Sequence, residues 1–166
     1  MPDMVISENT LYSDIALIEK SFRPVDRARL ILAAERHYFP DGGWWSMKIG
    51  DFVSLSEGDR SPIGVTEDPS TWTAFAYYAM QGFGSFVDEF VRVTKALEAP
   101  MSAREAAASS ACQRMTLGEG MLVFARSYFG CKSFAEAAEL PICDYVIARK
   151  DTFNKTMFER AITQKR

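Results

Sequence analysis

Between Thr71 and Leu97 apolar residues recur at alternating steps of four and three. Trp72, Ala76, Ala79, Phe83, Phe86, Phe90, Val93 and Leu97 form one stripe, close to a coiled-coil seam, and predict a long helix. Phe75, Tyr78, Val87 and Val91 widen the stripe, so other elements are expected to pack around this helix on more than one side. Gly82 and Gly84 interrupt it. Each costs about 1 kcal/mol against Ala in a helix interior, so they mark a kink, a break or a close backbone approach.

Upstream, residues 1–12 read as a polar arm that Val5, Ile6 and Leu11 could pin down. Ser13 or Asp14 can cap a short helix through Phe22. Pro24 suits the first turn of a second helix, with Val25, Ala28, Leu32 and Phe39 on one face and Asp26, Arg29 and Arg36 on another. Pro40-Asp41-Gly42-Gly43 ends it. The period then changes to two. Trp45, Met47 and Ile49 alternate with Ser46 and Lys48, and Val53 and Leu55 with Ser54 and Ser56, which predicts a small hairpin over 45–56 turning at Gly50-Asp51. Its register is in conflict: a two-residue turn pairs Ile49 with Phe52, whereas the apolar pattern prefers Ile49 opposite Val53. Residues 57–70 are rich in loop formers.

Beyond Ala99-Pro100, three capping-box patterns follow one another: Ser102 with Glu105, Thr116 with Glu119, and Ser133 with Glu136. In each, the hydroxyl can satisfy an early helical N–H while the carboxylate reaches back to the cap. They predict helices over about 103–114, 117–129 and 134–140, with Gly130 closing the second. Pro141 opens a last helix, from near Cys143 to Thr163. The expected fold is mainly α: a single-domain bundle of six or seven helices over residues 1–166, with a possible arm at 1–12 and a small hairpin near 45–56.

Composition narrows the class. At 166 residues, 48% hydrophobic and 13% aromatic, the chain can bury a core in one domain. A formal net charge of −3 argues against a dedicated nucleic-acid coat. Charge is uneven: residues 1–100 hold 9 Lys and Arg against 15 Asp and Glu, and residues 101–166 hold 10 against 7. Such polarity could orient head-to-tail contacts or a single partner. Cys112, Cys131 and Cys143 lack C-x-x-C spacing and are odd in number, which suits a reducing compartment. The start, MPDMVISENT, has no basic run before an apolar one, so no secretory leader is expected. Residues 69–87 carry no charge, but their Ser, Thr, Gln and Gly content and acidic flanks favour a buried helix over a membrane span.

Candidate chemistry is sparse. His37, the lone histidine, has no Cys or Asp at ligand spacing and reads as a helix-end structural residue. Cys131 and Cys143 flank a short helix, and Lys132 could depress a thiol pKa; small buried hydrophobes are the commoner fate. Neither GFG at 82–84 nor GEG at 118–120 belongs to a phosphate loop. No metal, cofactor or catalytic residue is assigned, and the chain is expected not to be an enzyme.

Two features remain. Residues 133–150, with Ala137, Leu140 and Val146 inside, resemble a helix-turn-helix, to which Arg149, Lys150, Lys155 and Arg160 would add phosphate contacts. A proline in the turn, a short joint and Asp144 at the groove-entering end count against it. The other feature is doubled aromatics, at Trp44-Trp45, Tyr77-Tyr78 and Tyr128-Phe129, where adjacent rings cannot share one helix face. With the central stripe, they make Trp44, Trp45, Trp72, Tyr77, Tyr78, Phe83, Phe86 and Phe90 the candidate interface. The expected function is a non-enzymatic interaction or assembly protein, oligomeric, binding itself or other proteins, without a membrane partner. It would be soluble and cytoplasmic, or virion-associated if it is a phage or mobile-element component. DNA binding through 133–160 is the alternative.

Overall fold

Pro24 supplies a preset φ and no N–H where the first helix needs none, and Asp26 closes the cap. Its carboxylate accepts the Arg23 backbone N–H and the Arg23 Nε–H, both at 3.1 Å. These bonds hold the Asp26 carboxyl below the usual carboxylate range. The helix they start, α1, runs Pro24–Tyr38. In the computed structural model of the chain, Thr10 and residues 19–20, 23–66 and 68–164 are described. The expected arm, Thr10 apart, and most of the expected helix before Phe22 lie outside them.

Six further α-helices follow among the described residues: α2 (Ile49–Ser56), α3 (Ala74–Lys95), α4 (Ala103–Ser110), α5 (Leu117–Phe129), α6 (Phe134–Ala138) and α7 (Ile142–Thr163). The fold is mainly α, as expected. The chain divides into two compact units, one formed by Met1–Met47 and Ser54–Asp88, the other by Lys48–Val53 and Glu89–Arg166.

The hairpin expected over 45–56 is not formed. Residues 43–46 make a 3₁₀ turn and residues 49–56 make α2. Ile49, Phe52 and Leu55 fit the helical period, whereas the strand pattern rested on Ile49, Val53 and Leu55, and it is Ile49, Phe52 and Leu55 that are buried. The supposed turn glycine instead lies inside α2, where a Cβ on Gly50 would stand 3.1 Å from Ala138 Cβ. Lys48 makes an isolated antiparallel bridge with Pro141, and Ile49 N–H donates to the Leu140 carbonyl at 2.8 Å.

The N-terminal unit packs around Trp44. Its indole lies among Phe39, Phe83 and Phe86, with ring centroids 5.2, 5.5 and 6.1 Å away. Its backbone N–H donates to Glu35 Oε1. The apolar face expected for α1 is corrected here: Val25, Ala28 and Leu32 are exposed, while Ala34 is buried and Leu30 and Ile31 are half-buried. The buried stripe lies on another side of the helix, where Ile31 packs against Gly82 of α3. That glycine is a close approach, not a break, because α3 is one continuous helix. Gly84 has nothing within 4 Å of a would-be Cβ.

The C-terminal unit stacks aromatic rings in series. Phe52 lies 4.7 Å from Phe90, Phe90 6.1 Å from Tyr145, and Tyr145 5.4 Å from Phe124. Full burial of a ring such as Phe90 is worth about 2–3 kcal/mol. Met121, Ala125, Ala137, Ile142 and Ala148 complete this core. The expected caps form in α4 and α5, where Ser102 and Thr116 accept the N–H of Glu105 and Glu119. At Ser133 only half the box closes: its hydroxyl takes the Glu136 N–H, but the Glu136 carboxylate accepts from Lys132 N–H. Gly130 ends α5 in the left-handed region, φ 68°.

Candidate functional site

The rings singled out in the sequence are mostly interior. Trp44, Tyr78, Phe83, Phe86 and Phe90 are buried, and Trp45, Trp72 and Tyr77 are half-buried. Trp45 packs edge-on to Phe86, and Trp72 carries the Arg60 guanidinium over its ring while its Nε1–H donates to the Thr66 carbonyl. These side chains are spent on packing within the chain. Of the doubled aromatics, only Tyr128-Phe129 brings both rings to the surface. His37 is exposed at the end of α1, edge-on to Tyr38 and Phe75. Among the described residues no three His, Cys, Asp or Glu side chains gather as a metal site. No described helix is long and apolar enough to cross a membrane.

The helix-turn-helix cations are scattered by their partners. Lys155 donates to Asp151 Oδ2 at 2.6 Å, and the same carboxylate oxygen accepts from Tyr128 at 2.7 Å. Arg160 donates to the Pro100 carbonyl and lies 3.5 Å from Glu105 Oε1. The Arg149 guanidinium lies over the Phe124 ring, 5.1 Å from its centroid. Lys150 is exposed. The first helix of the pair, α6, is only five residues long.

Among the described residues, nearly all of the exposed large apolar side chains lie elsewhere, in the C-terminal unit. Apart from Val25 and Leu32, every large apolar side chain found exposed among the described residues falls between Met101 and Ile162. On α7, Ile147 is 66% and Phe158 67% exposed, three helical turns apart on one face, and Ile162 follows Phe158 by one turn. From residue 100 to residue 117 no side chain is buried. This run contains α4, eight residues long with no buried residue. A helix that short does not persist on propensity; its caps and the Arg160 clasp hold it.

Two grooves open in this unit. One, about 680 Å³, is lined by Met115, Leu117, Met121, Val123, Phe124 and Tyr145 among others. The second, about 270 Å³, includes Leu97, Met101 and Phe153. Both have Glu98 and Arg149 in their walls, and Arg114 adds a second cation to the larger. Tyr145 sits at its floor, its phenol pushed up by burial.

No family model, curated protein or solved structure matches the chain.

Of the groove, sequence reasoning found only Arg149, and for a different role. The available signal was negative: the stretch AREAAASS holds no large apolar residue, so a helix there has nothing of its own to bury.

Proposed function

We propose that this chain is a non-catalytic interaction protein that docks another protein through its C-terminal unit. The observation that carries the reading is the apolar surface between Met101 and Ile162, above all Phe158 and Ile147 at about two-thirds exposure on one face of α7. Scattered single apolar residues need no explanation, but exposed aromatic and aliphatic anchors together with two grooves walled in part by apolar side chains in one unit are what interfaces use. The aromatic and methionine content of this surface, with Tyr128, Phe129, Met115 and Met157, matches the residue types enriched at interface cores. The DNA-binding alternative is less well supported, since Lys155 and Arg160 are engaged by carboxylates.

The test is site-specific photo-cross-linking in the cells that make the protein. A photoreactive side chain at Phe158 or Leu117 is expected to give a discrete protein adduct, of a second copy or another chain. The same group at Glu57, exposed in the N-terminal unit, is expected to give none. Absence of adducts at Phe158 and Leu117, or equal adducts at Glu57, would sink the reading.

A further inference from the structure

We infer that the paired grooves of the C-terminal unit receive an amphipathic helix from a partner protein, with an acidic side chain of that helix meeting the Arg149 guanidinium. The inference rests on the docking function proposed above and names the chemistry of the partner. It starts from Arg149, a half-buried side chain in the wall of both grooves. Phe124 supports one face of its guanidinium, and the planar fork of N–H donors has no hydrogen-bond acceptor among the described residues. A guanidinium so held is pre-organised to take a carboxylate through two parallel hydrogen bonds.

Its surroundings set the rest of the partner's chemistry. Met115, Leu117, Val123 and Phe124 in one groove and Leu97, Met101 and Phe153 in the other offer apolar seats on both sides of Arg149. An occupant must therefore present apolar anchors flanking an acid. Charge complementarity points the same way: Arg114 and Arg149 face the grooves against Glu98 alone. With two cations, one of them offset by Glu98, nucleic acid is a poor match. A peptide that binds by strand addition would need a sheet edge to pair with, and the described residues of this unit form no strand. A helix satisfies its own backbone and places anchors at i, i+3, i+4 and i+7, the pattern that fills a cleft between helices.

The experiment is selection on the immobilised full chain from a displayed library of amphipathic helices of about 15 residues, with apolar anchors kept and the flanking positions randomised. Selected peptides are expected to carry Asp or Glu beside the anchors, and changing that acid to Gln should weaken binding roughly tenfold as read by fluorescence anisotropy. In Arg149→Gln the difference between the acidic and Gln peptides should disappear. In Arg149→Lys, which keeps the charge without the fork, a reduced preference should remain. Leu117→Asp should abolish binding of both. Circular dichroism checks that each variant is folded. No enrichment, enrichment of basic peptides, or an acid preference that persists in Arg149→Gln would overturn the inference. Cross-linking at Phe158 that continues alongside any of these results would leave the docking function standing and remove only this partner.

Discussion

Ile31 of α1 reaches into the space a side chain would take at Gly82: a Cβ built there would stand 2.7 Å from Ile31 Cγ2 and 3.5 Å from the Trp44 ring. Gly84, two residues on in the same helix, faces open space. The two glycines therefore respond to alanine with opposite signs. Gly82→Ala should destabilise by about 1–3 kcal/mol through overpacking, and Gly84→Ala should stabilise by up to about 1 kcal/mol through helix propensity. Urea unfolding of the two variants checks both; matching signs would refute the close-approach account of Gly82.

Surface and core aromatics should separate stability from docking. Phe158→Ser changes a ring that is 67% exposed and should leave unfolding within about 0.5 kcal/mol of the parent, while weakening cross-linking from a photoreactive group placed at Ile147, on the same face of α7. Phe90→Ala empties a fully buried site and should cost about 3–5 kcal/mol. A large stability loss in Phe158→Ser would mean that its ring is part of the core after all.

Acid should release α4 first. The Glu105 carboxyl is held below its ordinary 4.5 by the Ser102 backbone N–H, then the Ser102 side chain and the Arg160 charge. A lowered folded-state pKa means the unfolded chain binds the proton more tightly. The contribution is thus complete above about pH 4.5 and is lost as pH falls through the lowered value. Hydrogen exchange across pH 6 to 3, corrected for its intrinsic pH dependence, should show amides of 103–110 losing protection before those of α5. Arg160→Ala should move that loss to higher pH. Protection of α4 that is independent of pH in this range would rule out the clasp.

Thiol chemistry should rank the cysteines by access. Cys112 is exposed, Cys131 and Cys143 half-buried. A maleimide is expected to label Cys112 fastest in the native protein, with the order read by peptide mass spectrometry. Faster labelling of Cys143 would place α7 differently from the structure.

Legibility followed range. Ser102, Thr116 and Gly130 were readable because a cap is settled within four residues of chain: α4 and α5 start where the first two lie, and Gly130 ends α5. The helix over 74–95 was readable because six periodic positions within it outvote two glycines. What failed depended on partners distant in sequence. Ile49, Val53 and Leu55 suit a strand and Ile49, Phe52 and Leu55 a helix, and the packing of Gly50 on Ala138 favours the helix. Likewise, Val25 and Leu32 make as good a stripe on paper as Leu30, Ile31 and Ala34, until Gly82 makes room for Ile31. The grooves were illegible for a further reason: they are gaps between elements, and no residue pattern encodes an absence of atoms.

The exposed run from residue 100 to residue 117 has an evolutionary consequence. Selection for a well-filled interior has no buried side chain to act on there, and between Ala106 and Ala108, clear of the cap, the Arg160 clasp and the groove walls, the stretch is weakly constrained. Insertions and changes of composition should accumulate in it faster than anywhere in α3 or α5. For the experimenter, that makes the middle of α4, away from the groove walls, the place to graft a tag or a second domain while leaving both units as they are.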